Sequence, residues 1–190
     1  MNFTEVVNEV ITTTKRPTLI NTIRRKVNGA INFYSLDCDF SRDLYEQLVS
    51  IDAAEYTQSV ALSTLTRFRK FKYIKRAGTN RHLKLLSDCE LFSTCDKRGR
   101  YYIAGSVVNL YMDTLASSLD VGFYQYPPVL TDAVTNRTHW MLDVNPFMII
   151  ERACADIFRD IGDEKSMQIA MIAARDYYLA FRADQGVATQ

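Results

Sequence analysis

The chain has 190 residues, of which 47% are hydrophobic and 24% charged, values typical of one globular domain with room for a modest insertion. Its formal net charge of +1 excludes a chain that is basic throughout, as a dedicated DNA-binding domain usually is. It contains no run of 18 apolar residues, which predicts that it spans no membrane.

Two helices are predicted at the N-terminal end of the chain. Apolar residues at helical spacing predict the first helix over residues 3–13, and Pro17 then indicates a turn. The second helix is predicted over residues 19–31, where apolar residues again recur at helical spacing. Residues 32–39 are expected to form the loop that leaves this helix.

A strand-rich middle follows over residues 42–126. Short runs rich in Tyr, Phe, Ile, Val and Thr, among them residues 89–95 and 100–111, are separated by turn sequences. This pattern predicts a meander of antiparallel strands, with a last strand at residues 119–128 that two prolines end. The alternation is irregular in residues 67–75, which predicts a β-bulge there.

A helical hairpin is the most clearly marked feature of the C-terminal part. Asn145 and Pro146 are typical of the first positions of a helix, Gly162 of its end, and Asp163 of the start of the next helix, which reaches about residue 183. Facing apolar stripes predict that the two helices pack on each other. The residues expected to form the core of this scaffold are Trp140, Phe147, Ile150, Cys154, Ile157, Ile161, Ala174 and Tyr178. For Trp140, an interface role is the alternative to a core role.

The predicted fold class is α+β. Four helices, two N-terminal and two C-terminal, form a scaffold over residues 1–40 and 141–184, with an antiparallel β domain inserted at residues 41–130. The whole is expected to be a single domain spanning residues 1–190. Residues 185–190 are polar and are expected to form a flexible C-terminal arm, because they cannot form a core.

The sequence offers few groups for catalysis or for holding a metal. The only histidines are His82 and His139, and neither neighbours a G-x-S-x-G motif or a glycine-rich phosphate loop. The four cysteines form no C-x-x-C pair, and the N-terminus lacks the features of a secretory signal, so reduced thiols in a cytoplasm are expected. The sequence therefore predicts a protein that is not an enzyme, with no catalytic residue, no cofactor and no metal.

The distribution of charge is unusual. Residues 67–84 hold eight basic residues and no acidic one, which leaves 15 basic and 22 acidic residues in the rest of the chain. Such a block is often a solvated strand face, and the alternative is a basic hairpin that faces an acidic partner, a neighbouring copy or a nucleic-acid backbone. Separated charges also let identical subunits attract one another, as in a ring. The block residues predicted to contact a partner or a neighbouring subunit are Arg67, Arg69, Lys70, Lys72, Lys75 and Arg76.

The order of these segments resembles the head-to-tail adaptor proteins of tailed bacteriophages, also called head-completion or neck proteins, and especially those of short-tailed phages. The resemblance spans most of the chain. It rests on the early helix "LINTIRRKVNGAINFYS", the strand-rich middle, "YQYPPVLTD", an isolated Trp, and "NPFMIIERACADIFRDIGDEKSMQIA" with its Ile-Gly-Asp turn between two helices. One departure is Leu62-Ser63, where such chains often carry Leu-Pro.

The resemblance implies a structural virion protein at the head–tail junction, assembled in the host cytoplasm. Such adaptors form a ring, commonly of twelve copies, below the portal after DNA packaging. The implied partners are further copies of the chain, the portal protein, a tail nozzle or tail-tube protein, tail fibres, and the double-stranded DNA passing through the channel. Docking through the C-terminal arm would use Arg182, Asp184 and Gln185.

Two alternatives stay open beside this interpretation. A tail-terminator or tail-completion protein belongs to the same class but has a different partner. A nucleic-acid-binding module would use the basic residues 67–84, although the low net charge of the chain argues against it.

Overall fold

The structure, a computed structural model, describes residues 1–91 and 96–185. It contains helices and antiparallel sheets, with 47% of the residues helical and 23% in strands, so the predicted α+β class is confirmed. The contacts divide the chain into a helical unit, formed by Met1–Arg42 and the chain from Pro127 onward, and a β unit, formed by Asp43–Tyr126. No helix among the described residues is long and apolar enough to cross a lipid bilayer.

The elements follow one another in this order: α1 (Phe3–Thr14), α2 (Ile20–Asp37), β1 (Leu44–Ser50), β2 (Thr57–Ala61), β3 (Phe68–Arg76), β4 (Lys84–Leu85), α3 (Asp88–Leu91), β5 (Arg100–Ala104), β6 (Val107–Tyr111), β7 (Ser118–Gln125), α4 (Trp140–Val144), α5 (Pro146–Asp160) and α6 (Glu164–Asp184). The short α4 is not predicted from the sequence. His139 caps the start of α4, because its Nδ1 accepts a hydrogen bond from the backbone N–H of Met141 at 3.4 Å.

The second helix is longer than the sequence predicts. Residues 32–37 continue α2 instead of forming a loop. The ring of Tyr34 packs against the ring of Tyr178 with 4.5 Å between their centroids, and Ser35 is fully buried. Packing against α6 therefore extends the helix past the point where the local apolar pattern weakens.

The turn between α5 and α6 forms as predicted, and one predicted feature, the cap at the start of α5, differs. Gly162 has a φ of +76°, so its left-handed conformation at the end of α5 is confirmed. Asp163 caps α6 by accepting a hydrogen bond from the N–H of Ser166 at 3.1 Å. Asn145 precedes α5 but makes no capping hydrogen bond, and its side-chain amide donates instead to the carbonyl of Tyr177 at 3.3 Å.

Two residues of the predicted scaffold core lie outside it. Phe147 is 51% exposed and Ile161 is 38% exposed. Phe147 lies in the first turn of α5 and stacks on Tyr177 at the rim, while Ile161 follows the last residue of α5 in an exposed turn. Met148 and Ile149, next to Phe147, are fully buried, so the first turn of α5 still packs into the core while Phe147 itself is exposed.

The other predicted scaffold residues pack into the helical unit. The fully or nearly fully buried ones are Ile150, Cys154, Ile157, Ala174 and Tyr178. Burial raises the pKa of the Cys154 thiol to about 12, so this cysteine stays protonated. Trp140 is half-buried, and its ring packs against Phe40 and Phe181 with centroids 5.4 and 5.6 Å apart.

The β unit contains two sheets rather than a meander. One has the order β1-β7-β3 and is antiparallel, and the other has the order β2-β6-β5-β4, in which the β4–β5 pair is parallel. The last strand, β7, therefore lies at the centre of its sheet, between strands from much earlier in the chain. Such long-range pairing leaves no mark in the local pattern of residues. Side chains of both sheets share one core, which includes Ile74, Val108, Leu110, Leu119 and Phe123.

Local signals inside the β unit have mixed outcomes. The predicted bulge is confirmed, since the β3–β7 register shifts at two points. The run at residues 100–111 is a hairpin of β5 and β6, with Gly105 at φ +58° in its two-residue loop. Residues 88–91 form α3 instead of a strand, because Ser87 and Glu90 cap each other: the hydroxyl of Ser87 donates to the Glu90 carboxylate at 2.9 Å. The remainder of that predicted strand, residues 92–95, lies outside the described residues.

Candidate protein-interaction surfaces

The structure brings together the six basic residues predicted to contact a partner. All lie in β3 or directly before it. The side chains of Arg67, Lys70 and Lys72 are exposed, whereas those of Arg69, Lys75 and Arg76 are partly buried. The basic block is therefore a surface of the β unit with an exposed and a packed part.

Acidic residues from distant segments of the β unit neutralise part of this block. The Nζ of Lys75 lies 3.8 Å from a carboxylate oxygen of Asp120 in β7, and the guanidinium of Arg81 lies 2.7 Å from the carboxylate of Asp113. The whole β unit holds 11 basic and 9 acidic residues, a net formal charge of +2. The separation of charge is thus stronger along the chain than in the folded unit.

Neutral groups engage other members of the block. Arg67 donates to the Gln125 side chain at 2.9 Å, Arg76 donates to the hydroxyl of Thr114, and the guanidinium of Arg69 lies over the ring of Tyr124 at 5.4 Å. In contrast, Lys72 and Lys84 are exposed and have no carboxylate within ion-pair distance among the described residues. These two lysines are the cations best placed to attract an acidic partner.

The three C-terminal residues predicted to contact a partner lie at the end of α6. Arg182 is half-buried, and its guanidinium lies 3.7 Å from the carboxylate of Asp37, so it is held within the helical unit. Asp184 is exposed and is the last residue of the helix. The N–H of Gln185 donates to the carbonyl of Phe181 at 3.1 Å, so Gln185 belongs to the end of the helix and not to a free arm. The rest of the predicted flexible arm, residues 186–190, lies outside the described residues.

Helix α6 has a second apolar surface that sequence reasoning missed. It buries one stripe, and large apolar residues are also exposed on its other sides. The exposed set is Ile169, Met171, Ile172, Tyr177 and Leu179. The signal was present in the sequence, because a helix that is apolar nearly all round is normally covered on more than one side.

A groove of about 410 Å³ runs beside this surface, between α2, α5 and α6. Its lining residues are Phe33, Tyr34, Asp37, Arg152, Met171, Ile172, Ala174, Arg175 and Tyr178. The guanidinium of Arg152 lies over the ring of Phe33 at 4.2 Å. Burial raises the pKa of Tyr34 to about 12 and raises that of Tyr178 as well, so both hydroxyls stay protonated. The groove therefore has aromatic walls, and its fixed cations are arginines.

The two histidines make structural contacts. His139 caps α4, and the ring of His82 lies beside the ring of Tyr73 with 5.3 Å between centroids. In the part of the chain that the structure describes, no three His, Cys, Asp or Glu side chains are grouped as metal ligands would be.

No protein-family model matches this chain, and no curated protein matches it. The resemblance to phage head-to-tail adaptors therefore rests on the chain order of the segments described above.

Proposed function

We propose that this protein is a structural component of a tailed-phage virion, a head-to-tail adaptor that forms a ring of twelve copies beneath the portal. The observation that carries the proposal is the exposed apolar surface of α6, which lies beside an open groove and opposite a buried stripe. Single exposed apolar residues are normal, but five large ones on one helix favour protein–protein contact there. An adaptor subunit, which contacts two neighbours, a portal and a tail component, needs such surfaces.

The two units supply different surfaces for this role. The α5–α6 hairpin gives the helical unit a rigid scaffold, and the β unit carries the exposed lysines that an acidic partner would contact. The near-balanced charge of the β unit also favours the passage of DNA over tight binding. Non-specific DNA affinity comes from several cations that neutralise phosphates, and here part of the block is already paired with carboxylates. That pairing supports assembly over the nucleic-acid-binding alternative.

Electron microscopy of particles made with and without the protein tests this function. In the virus that encodes the chain, deletion of its gene should give DNA-filled heads that leak and carry no tails. Supplying the protein should restore a ring of density at the portal vertex. Deletion particles that retain DNA and join tails normally would contradict the proposal. Density found on free tail tubes instead of heads would support the tail-terminator alternative.

A further inference from the structure

Helix α6 presents two different surfaces on its two sides. One side forms the groove through Met171 and Arg175. The other side carries Tyr177, whose ring stacks on Phe147 with 5.7 Å between centroids. Arg175 and Tyr177 are two residues apart and so point about 160° away from each other round the helix. We call the surface formed by Tyr177 and Phe147 the aromatic edge.

The aromatic edge and the groove have opposite charge. Exposed Asp184 lies seven residues after Tyr177, two turns further along the same side of α6. The aromatic edge therefore carries a carboxylate on the side of the helix where Tyr177 is exposed.

In the groove, Arg175 is exposed and Arg152 is half-buried beside Asp156, with 4.0 Å between Nε and the carboxylate. The one carboxylate lining the groove, that of Asp37, accepts a hydrogen bond from the Tyr178 hydroxyl and lies 3.7 Å from the Arg182 guanidinium. Arg175 is thus left to attract an incoming anion, in a groove whose walls are aromatic and aliphatic.

We propose that the groove of one copy receives the aromatic edge of a second copy, head to tail. Phe147 and Tyr177 would enter the groove between Phe33 and Ile172, and Arg175 would face the Asp184 carboxylate of the edge. The surfaces are different, so the contact is heterologous, and heterologous contacts close into rings or extend as filaments. This inference rests on the proposed function in one respect, that the copies form a ring. It adds that the helical unit makes the contact between copies.

Two variants, each disabled on one surface, test the proposal in solution. The groove variant carries Ile172→Glu and Arg175→Glu, and the edge variant carries Phe147→Ser and Tyr177→Ser. All four side chains are exposed, so both variants should fold, which circular dichroism and thermal melting check. Val134→Glu, at a residue that is 83% exposed in the helical unit and outside both surfaces, is the matched control.

Sedimentation velocity over a concentration series gives the result. The wild type and the control should associate as concentration rises, and each variant should associate about tenfold more weakly or not at all, as when a central interface residue is lost. An equimolar mixture of the two variants should form a dimer that grows no further, because the mixture retains only one intact groove and one intact edge.

Three results would overturn the proposal. A folded wild type that stays monomeric at every concentration would do so, and so would a mixture of folded variants that forms no dimer. An edge variant that assembles as the wild type does, while the groove variant fails, would show that the groove takes a different occupant, such as a small aromatic ligand or a segment of another protein. These measurements use no virus particles, so a result against this contact can be distinguished from a result against the proposed function in the deletion experiment.

Discussion

At the scale of single residues, Gly122 shows why one position of strand β7 must lack a side chain. A Cβ added at this position would lie 2.5 Å from the Cε1 atom of Tyr73 on the neighbouring strand. The ring cannot turn away freely, because its hydroxyl donates a hydrogen bond to Glu46, which also raises the pKa of Tyr73 to about 12. Glycine at position 122 thus lets an aromatic ring cover the backbone of the central strand.

Gly122→Ala should therefore lower the free energy of unfolding by about 1–3 kcal/mol, the usual cost of overpacking. In a Tyr73→Ala background the same change should cost much less, because the ring that it meets is gone. Urea denaturation of the wild type, the two single variants and the double variant gives the coupling energy between positions 73 and 122. Gly29→Ala is the control: this glycine lies in α2 with open space around it, so alanine should stabilise the helix by about 0.5–1 kcal/mol. A neutral Gly122→Ala would mean that the ring does not cover this position.

Residue burial in α5 could be predicted from the sequence only in the middle of the helix. The apolar stripe places Ile150, Cys154 and Ile157 in the core, where the structure also has them. The same spacing includes Phe147 and Ile161, which are exposed although Met148 and Ile149 beside Phe147 are fully buried. Periodicity identifies a face of a helix, but it carries no information about which residues of that face other elements cover.

At the scale of elements, the start of α6 depends on a single carboxylate. Hydrogen bonds from Ser166 lower the pKa of Asp163 below its ordinary value of 3.8. The capping contribution of a group with a lowered pKa is complete above the ordinary value and is lost as the pH falls through the lowered one. The charge also interacts favourably with the dipole at the helix start.

The melting temperature of the wild type should therefore exceed that of Asp163→Asn at pH 7, and the difference should shrink as the pH is lowered below 3.8. Asparagine keeps a capping oxygen but has no charge to titrate. Asp163→Ala, which removes both, should be the least stable of the three at pH 7. Melting curves at a series of pH values measure these differences. A difference between the wild type and Asp163→Asn that does not change with pH would show that the charge of Asp163 contributes nothing.

The helices and their turns could be predicted because their signals are local. Pro146, Gly162 and Asp163 act within a few residues of themselves, and the structure places each where the sequence predicts. The order β1-β7-β3 could not be predicted, since it joins segments more than 40 residues apart and nothing local specifies the partner. The strand predicted at residues 89–95 was wrong over residues 89–91 for another reason. The capping pair Ser87 and Glu90 favours a helical turn, and the β-type composition of the segment concealed it.

At the scale of the whole molecule, the candidate surfaces were predicted in part. The basic block is visible in the sequence, because its residues are consecutive. Its neutralisation by Asp113 and Asp120 is not visible, because these acids come from segments that only folding brings near. The groove of the helical unit is formed by α2, α5 and α6 together, so it could not be predicted from any single segment of the sequence.

The exposed lysines of the β unit give the last prediction. Lys72→Glu with Lys84→Glu should leave the free energy of unfolding within about 0.5 kcal/mol of the wild type, as is usual for exposed positions. Lys75→Glu with Arg81→Glu makes the same change in net charge but sets new carboxylates beside Asp120 and Asp113, so this matched control should be less stable. Urea denaturation separates the two pairs of substitutions.

The effect of the Lys72 and Lys84 reversals on assembly follows from the range of exposed charges. If these lysines attract an acidic partner at the head, the double reversal should lower the occupancy of the protein on DNA-filled heads. Added salt should lower the occupancy of the wild type toward the same level, because exposed charges are screened beyond about 8 Å at physiological ionic strength. Self-association in solution should not change, since the proposed contact between copies lies in the helical unit.

The DNA-binding alternative predicts instead that the wild-type monomer shifts duplex DNA in a gel with a steep dependence on salt, and that the double reversal abolishes the shift. Tight DNA binding by the monomer, together with unchanged occupancy of the reversed protein on heads, would contradict a docking role for these lysines.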